Sequence, residues 1–319
     1  MSNRMLERTI GKVKKYFLEL PQPDAVLQFT ARSLFAIRLS PKDRAIRQRC
    51  AVPVSPGSIL PSFDRTNLAE LPHLEERLEE AKKVLQLQEG SVAVLLPELC
   101  FKVAIFNSDS PSLSQTEMEK MVWWRVRKLM PLLPDDARLS YEVVASQSSE
   151  KILASLARSS VIQEYENLLA RKRLRAGAVM PPSLNLLSLL IRGERNAEDS
   201  IIVNIEDDAV SLLAVINSEI SLYRVKPFMH EGRSLVPHEE KMDNIVKEVE
   251  NTIHFIEDRE KKKISHLWVR RGLMEKETDF VSVLKTRFSF PVESVETLVP
   301  FDLPSREKEV LSTLVGQFL

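Results

Sequence analysis

Hydrophobic and polar positions along the chain predict the same series of elements twice. Short runs rich in β-branched residues indicate strands, and apolar residues spaced three and four apart indicate helices. The first round has three strands, a helix and two strands, predicted at residues 25–30, 33–40, 44–54, 72–88, 91–96 and 101–106. The second has three strands, a helix, a strand, a helix and a short strand, at 201–206, 209–216, 219–225, 238–258, 265–271, 275–288 and 291–295. The repeated order indicates an internal duplication of an α/β unit.

A block with a different pattern lies between the two rounds. Residues 114–117 (SQTE) form a capping box, which predicts the start of a helix. The apolar stripe of that helix consists of Met118, Val122, Val126 and Leu129. The remaining elements are two strands, an amphipathic helix, and a strand leading into a proline-started helix, at 137–146, 151–158, 161–174 and 175–191. We therefore expect an inserted α/β unit.

Composition and charge narrow the classes of function. The chain has 319 residues, of which 44% are hydrophobic, and its 45 Lys and Arg residues balance 45 Asp and Glu residues. A chain without net positive charge lacks the electrostatic signature of nucleic-acid binding. Cys50 and Cys100 lie far apart, which favours a reducing cytoplasm, and the five histidines show no metal-ligand spacing. The most apolar stretch, 180–191, is too short and too polar to span a bilayer.

Glycine is scarce, with eight residues and no G-x-G sequence. Sites that hold phosphate on backbone N–H groups need glycine where the backbone approaches the ligand. No nucleophile–base pair and no paired carboxylates stand out in the sequence. We therefore expect neither a phosphate-cradling loop nor a catalytic centre.

Four segments resemble one known family in their order and spacing. They read VAVLLPELCFKVAIF, MEKMVWWRVRKLMPLLPDDARLSYEVV, LARSSVIQEYENLLARKRLRAGAVMPPSLNLLSLL and VLSTLVGQFL, the last containing Gly316. Together they are similar to the PilM family of type IV pilus assembly proteins. The resemblance implies the actin-like fold of FtsA, which is similar to that of the cytoplasmic part of GspL. The fold class would then be α/β: an actin-like, ribonuclease H-like duplicated, two-lobed fold with a small α/β insertion subdomain.

The resemblance also implies how the chain is divided. A basic amphipathic segment (1–23) would precede the first lobe (24–110), which is followed by the inserted subdomain (111–180). A return helix and linker (181–199) would lead to the second lobe (200–300). The C-terminal helix (301–319) would return to the first lobe.

The departures from the family fall on its nucleotide motifs. In the first motif, the family's Asp, Gly and Lys positions hold Gln28, Thr30 and Phe35; in the second, the Asp, Gly and Thr positions hold Asn204, Glu206 and Val210. The family's Gly-Gly turn is reduced to a single Gly272. A carboxylate at Glu206 about 4 Å from a phosphate would cost roughly 1–4 kcal/mol. We therefore expect no cofactor, no metal and no ATPase activity: a pseudo-ATPase.

Several charged stretches have two interpretations. Glu206, Asp207 and Asp208 could form a metal cluster, but a solvent-facing acidic turn is favoured because turns favour Asp. Residues 257–265 could bind anions and 170–175 could contact RNA or lipid, but both are predicted to be solvated helix ends. Residues 4–19 either lie on an anionic membrane surface or pack on the body as a helix or frayed terminus.

A surface of the inserted helix is predicted to bind a partner. Trp123 and Trp124 point about 100° apart on a helix, so one is expected in the core and the other exposed. Exposed tryptophan is typical of contact surfaces. The partner-binding face is predicted to consist of Met121, Trp124, Arg125 and Lys128.

Two classes of function follow from the resemblance. In the first, the protein is a cytoplasmic scaffold, peripherally associated with the inner membrane, that binds the cytoplasmic tail of a single-span PilN-like protein. The pilus motor ATPase is a second partner that the resemblance suggests. In the second, the protein is an ATP-binding actin-like switch or polymerising protein. The scarcity of glycine and the substituted motifs favour the scaffold.

Overall fold

Two five-stranded sheets with the same topology form the framework of the protein. The computed structural model describes residues 23–40, 42, 45–108, 113–144, 151–192, 199–228, 238–274 and 279–319. The predicted amphipathic stretch at residues 4–19 lies outside these ranges. No helix within them is long and apolar enough to cross a membrane.

The first sheet has the order β3-β2-β1-β4-β8. Its strands are β1 (Ala25–Phe29), β2 (Ser33–Leu39), β3 (Ile46–Pro53), β4 (Gly90–Leu95) and β8 (Leu174–Met180). β1, β2 and β3 form an antiparallel meander, whereas β4 and β8 run parallel to β1. Every residue of β1 is buried, which explains its unbroken apolar pattern apart from Gln28.

The second sheet repeats this arrangement in the order β11-β10-β9-β12-β13. Its strands are β9 (Ser200–Ile205), β10 (Ala209–Ile216), β11 (Glu219–Pro227), β12 (His266–Arg271) and β13 (Val292–Ser294). β9 to β11 are antiparallel, and β12 and β13 run parallel to β9. Asn217 and Ser218 both have positive φ, as the primed hairpin turn between β10 and β11 requires. The predicted duplication is confirmed.

Helices cover both faces of each sheet. They are α1 (Leu71–Val84), α2 (Gln115–Leu129), α3 (Ser159–Ala170), α4 (Pro182–Arg192), α5 (His238–Glu260), α6 (Phe280–Arg287) and α7 (Ser305–Gly316). α1 and α3 pack on the outer face of the first sheet, and α5 and α6 pack on that of the second. α4 and α7 lie between the sheets, where Leu186 and Leu314 share one core with Ile37 and Trp268. This middle layer joins the lobes.

The inserted sheet has the order β5-β7-β6 and packs against α2. Its strands are β5 (Lys102–Asn107), β6 (Ala137–Val144) and β7 (Lys151–Arg158). The sequence analysis placed β5 in the first lobe and α3 and β8 in the insertion, whereas strand pairing and packing group them the other way round. A 3₁₀ turn at Glu98–Cys100 separates β4 from β5, and β8 returns beside β4 after the α3 crossover.

The buried stripe of α2 is shorter than the sequence predicts. Met118, Val122 and Val126 are buried, but Leu129 is 57% exposed. Leu129 has the angular position of the stripe on an ideal helix, so its exposure means that the last turn extends past the sheet that covers this face. The predicted capping box is present, with Ser114 and Glu117 satisfying each other's backbone N–H groups.

Gly316 allows α7 and α4 to approach closely. A Cβ atom at this position would lie 2.0 Å from the carbonyl oxygen of Asn185 in α4. Gly316→Ala is therefore expected to lower the free energy of unfolding by about 1–3 kcal/mol, because a backbone group has to move. Denaturant unfolding measures this effect. Lys308→Ala on the same helix is the control and should change stability by less than about 0.5 kcal/mol; equal effects would contradict the close-packing explanation.

Candidate functional site

Two β-hairpins, one from each lobe, meet across the central cleft. The turn after β1 (30–32) faces the turn after β9 (206–208). Gln28 at the end of β1 donates from Nε2 to Glu206 Oε1 at 3.2 Å. Arg32 in the first turn forms an ion pair with Asp207 in the second. The structure thus brings together the two segments that the sequence analysis compared with nucleotide motifs.

Arg270 is the centre of this network. Its side chain is fully buried at the end of β12 and forms an ion pair with Glu206. The same Nη1 donates to Asn204 Oδ1 at 2.9 Å, and Nη2 donates to the carbonyl of Val310 in α7 at 2.7 Å. One guanidinium therefore connects the second sheet, the second turn and the helix between the lobes.

Glu98 supplies the second anchor, from the 3₁₀ turn after β4. Its carboxylate accepts hydrogen bonds from the backbone N–H of Ser183 at 2.7 Å, from Asn204 Nδ2 at 3.3 Å and from the Tyr223 hydroxyl. Burial raises the pKa of Glu98, and the hydrogen bonds from Ser183 and Tyr223 oppose that shift. Asn204 therefore links Glu98 of the first lobe with Arg270 of the second.

The side chains at the other three motif positions, Thr30, Phe35 and Val210, are held by contacts with residues close to them. Thr30 Oγ1 accepts from the backbone N–H of Ser33 and donates to its carbonyl, each at 3.0 Å. Phe35 is 1% exposed within the core between the lobes, where the resemblance placed a lysine. Val210 is fully buried in the core of the second lobe. Phe35 and Val210 offer no group for binding phosphate, and the Thr30 hydroxyl is engaged by the backbone of its own turn.

The prediction of a solvent-facing acidic turn is wrong. Glu206, Asp207 and Asp208 are between 6% and 7% exposed. Asp207 accepts from Lys241 Nζ at 3.0 Å and pairs with Arg32, so two cations from outside the turn compensate its charge. The preference of Asp for turns gives no information about cations that are distant in sequence. Arg32 and Lys241 allow the acidic turn to be buried because they compensate its charge. No group of three or more His, Cys, Asp or Glu side chains in the described part of the chain could hold a metal ion.

Asp208 differs from Asp207 because its Oδ2 has no hydrogen-bond partner among the described residues. Burial raises the pKa of Asp208 to about 7, and the charge of Glu206 adds to the shift. Asp208 is one of the residues around a cavity of about 500 Å³ between the β1–β2 turn and residues 56–66, but its Oδ2 atom is shielded from solvent. The cavity is open space beside the closed cleft.

Gly272 leaves room for the Glu206 carboxylate. A Cβ atom at Gly272 would lie 2.1 Å from Glu206 Oε2. Gly272 therefore faces a protein carboxylate. The space needed for a close ligand approach is filled by the protein itself.

The predicted partner face on α2 is partly exposed. Trp124 is 59% exposed, Lys128 Nζ lies 5.2 Å from its ring centroid, and the Arg125 guanidinium lies 5.7 Å away. Met121 and Trp123 are half-buried against the core of the insertion. Leu132, which is 96% exposed just beyond the helix, was not predicted as a surface residue. Its sequence, between Pro131 and Leu133, carries no periodic signal.

The basic stretches at residues 170–175 and 257–265 have different surroundings. α3 ends at Ala170, and Arg171 then pairs with Glu75 of α1 at 2.6 Å. Arg173 pairs with Glu89 at 2.5 Å. α5 ends at Glu260 within the second stretch. These pairs leave no concentrated basic patch at the end of α3.

Sequence reasoning missed four residues that hold the cleft together. They are Arg32, Glu98, Lys241 and Arg270. One signal was available: a charged residue in an otherwise apolar central strand, as in HLWVRR, needs a buried partner. The other three lie in turns or on a helix face, where charge is ordinary.

No protein-family model matches the sequence, and no curated protein sequence matches it. Among solved structures, the chain is similar to a chain of the "PilM-PilN type IV pilus biogenesis complex", with a TM-score of 0.76 and 16% identity over 93% of this chain and 98% of that one. It is also similar to a Bacteroides thetaiotaomicron protein with an actin-like ATPase fold and unknown function, with a TM-score of 0.58 and 8% identity over 92% and 95% of the chains. The predicted actin-like fold is confirmed, and so is the likeness in fold to a chain of the PilM–PilN complex.

The Arg270–Glu206 pair generates a prediction about stability. Arg270→Met is expected to lower the free energy of unfolding by about 3–5 kcal/mol, because Glu206 then remains buried without its cation. Adding Glu206→Gln removes that charge and should recover about 1–3 kcal/mol. Denaturant unfolding of the single and double variants measures both changes. A double variant no more stable than Arg270→Met would show that the pair is not coupled.

Asp208 generates a prediction about pH. The folded protein holds a proton on this carboxyl up to about pH 7, above the ordinary pKa of 3.8, so stability falls as pH rises through that window. Asp208→Asn should remove this loss and stabilise the protein at about pH 8 by about 1–4 kcal/mol, with little effect near pH 4. Thermal melting across this pH range is the measurement. Destabilisation at pH 8 would mean that the ionised carboxylate has a stabilising contact.

Proposed function

We propose that this protein is a non-catalytic scaffold of a type IV pilus or related secretion machine. It binds the cytoplasmic tail of a PilN-like membrane protein, and it acts in the cytoplasm at the inner membrane. The fold likeness to a chain of the PilM–PilN complex over nearly the whole length of both chains supports this role. A pilus motor ATPase is a second proposed partner.

The observation that carries the non-catalytic part is the occupied cleft. Arg270 binds both Asn204 and Glu206, and Gln28 donates directly to Glu206. A nucleotide phosphate at this place would meet the Glu206 carboxylate and would have to displace a buried ion pair. Such displacement leaves an uncompensated buried charge, which costs several kcal/mol. The alternative role, an ATP-binding switch or polymerising protein, has no corresponding support in the geometry.

The partner surface is proposed on α2. A tryptophan that is more than half exposed, with two cations over its ring, combines a large apolar contact with positive charge. Leu129 at the end of the helix and Leu132 beyond it are also exposed. A tail with apolar and acidic residues would complement this surface. Met121 is half-buried against the core of the insertion, so it offers less surface to a partner than Trp124.

Trp124→Ala is expected to weaken binding of the partner tail by about 1–3 kcal/mol, because the ring supplies the largest exposed apolar contact. Phe255→Ala is a matched control, since Phe255 is an exposed helical aromatic with Arg224 and Arg259 over its ring. Titration of the tail encoded beside this gene, with melting curves of both variants, is the measurement. Unchanged binding by Trp124→Ala, or equal weakening by both variants, would place the tail elsewhere.

ATP with Mg²⁺ is expected not to bind with a dissociation constant in the low micromolar range. Calorimetric titration at neutral pH tests this, and an actin-like ATPase serves as the positive control. The physical reason is the Glu206 carboxylate and its bound partners in the cleft. Binding at low micromolar concentration would remove the basis of the non-catalytic assignment and favour the switch.

A further inference from the structure

β3 is an edge strand of the first sheet, and its only neighbour among the described strands is β2. It has eight residues, which is longer than the usual strand of about 5–6. The backbone N–H and C=O groups on the outer side of such a strand can pair with an added strand. Residues 48–53 pair regularly with β2, so this part of the edge has the geometry that strand addition requires.

A groove of about 560 Å³ lies beside this edge and is bordered by β3 and α7. Residues 47–51 of β3 form one wall, and the first two turns of α7 form another. Apolar surface is accessible in the groove, because Ala51 is exposed and Val84, at the end of α1, is 44% exposed. An added strand would therefore meet side-chain surface as well as the backbone of β3.

Arg47 is placed at one end of this edge by a β-bulge. Ile46 is opposite Leu39 and Gln48 is opposite Arg38, so Arg47 is the extra residue between two successive pairs. A bulge on an edge strand redirects the side chain of the extra residue. Arg47 is exposed and borders the groove.

The charges that border the groove come from three arginines and one glutamate. Arg49 forms an ion pair with Glu307, and Arg306 pairs with Glu309 in the next turn of α7. Arg47 is the cation of the groove that has no ion pair with a described residue. An acidic residue of a bound segment would supply its partner.

The charges also decide which occupant fits. β3 of a second copy contains no acidic residue, so it would bring arginines against arginines. Residues 1–22 of the chain contain more basic than acidic residues and are not complementary either. A separate protein with an acidic, extended segment is complementary to this edge.

We propose that β3 and this groove bind an extended acidic segment of a partner protein. The segment adds a sixth strand to the five-stranded first sheet through main-chain hydrogen bonds. Its acidic side chain pairs with Arg47, and an apolar side chain packs at Ala51 in the groove. This site lies on the first lobe, whereas the face proposed on α2 belongs to the inserted subdomain. Strand addition here therefore does not depend on the pilus assignment.

The probe is the blocked peptide Thr-Glu-Thr-Val-Thr-Glu-Thr, whose side-chain order is the same in both directions and therefore suits either strand orientation. Amide NMR signals of residues 48–52 in the full chain report binding, with probe up to about 5 mM. The peptide is expected to shift these signals. The same peptide with lysine in place of glutamate is expected to bind at least about tenfold more weakly, because it brings a cation to Arg47.

Backbone methylation of the probe separates strand addition from binding through side chains alone. An added strand turns the N–H groups of alternate residues toward the sheet. Methylating the N–H groups of the threonines, or those of the glutamates and the valine, removes one alternate set at a time. One of these two peptides is expected to bind at least about tenfold more weakly than the other.

Two charge reversals locate the site. Arg47→Glu is expected to weaken binding of the glutamate probe at least about fivefold and to bind the lysine peptide more tightly than wild type does. Arg175→Glu is the matched control, because Arg175 is exposed on β8, the opposite edge strand of the same sheet, and it should bind as wild type. Melting temperatures show whether both variants are folded. Strand addition at β3 is overturned if no probe shifts the signals of residues 48–52, if the lysine and glutamate peptides bind equally, if the two methylated peptides bind equally, or if both reversals have equal effects.

Discussion

The buried ion pair between Arg270 and Glu206 is the interaction on which the arrangement of the two lobes depends. A guanidinium with no exposed surface needs a compensating charge from the protein. Glu206 supplies the charge, and Asn204 and the Val310 carbonyl accept further hydrogen bonds. Gln28 then bonds to Glu206 from the first lobe. Each of these groups is held in place by the others, so one hydrogen-bonded network connects the two lobes.

The same buried ion pair accounts for the glycine at position 272. Gly272 is required because its missing Cβ leaves the space that the Glu206 carboxylate occupies. Further glycines at this place would not make room for a phosphate, because the Glu206 side chain already fills the space. Phe35 also fills space with a side chain, because its apolar ring packs with the helices between the sheets. Gln28, Asn204 and Glu206 therefore belong to one network with Arg270. Thr30, Phe35 and Val210 pack locally, outside that network.

Periodicity predicted most of the fold because strands buried on both faces and amphipathic helices have direct sequence signals. It did not predict which sheet β5 and β8 join or which sheet α3 packs on, since pairing partners distant in sequence leave no local pattern. For the site, the substituted residues were identified individually, but their partners were not. The acidic turn shows why: its burial depends on Arg32 and Lys241, which lie elsewhere in the chain. Side-chain networks of this kind become visible only when the topology is known.

A cleft closed by side chains differs from one closed by a ligand in how it responds to its surroundings. Ligand-dependent closure varies with ligand concentration, because binding shifts the equilibrium by mass action. The contacts from Arg270, Gln28 and Asp207 belong to the chain itself and are present whenever it is folded. The orientation of the lobes is thus fixed in advance, and with it the surfaces at their edges. A partner that binds such a surface does not have to order it first, so less of the binding free energy is lost on ordering.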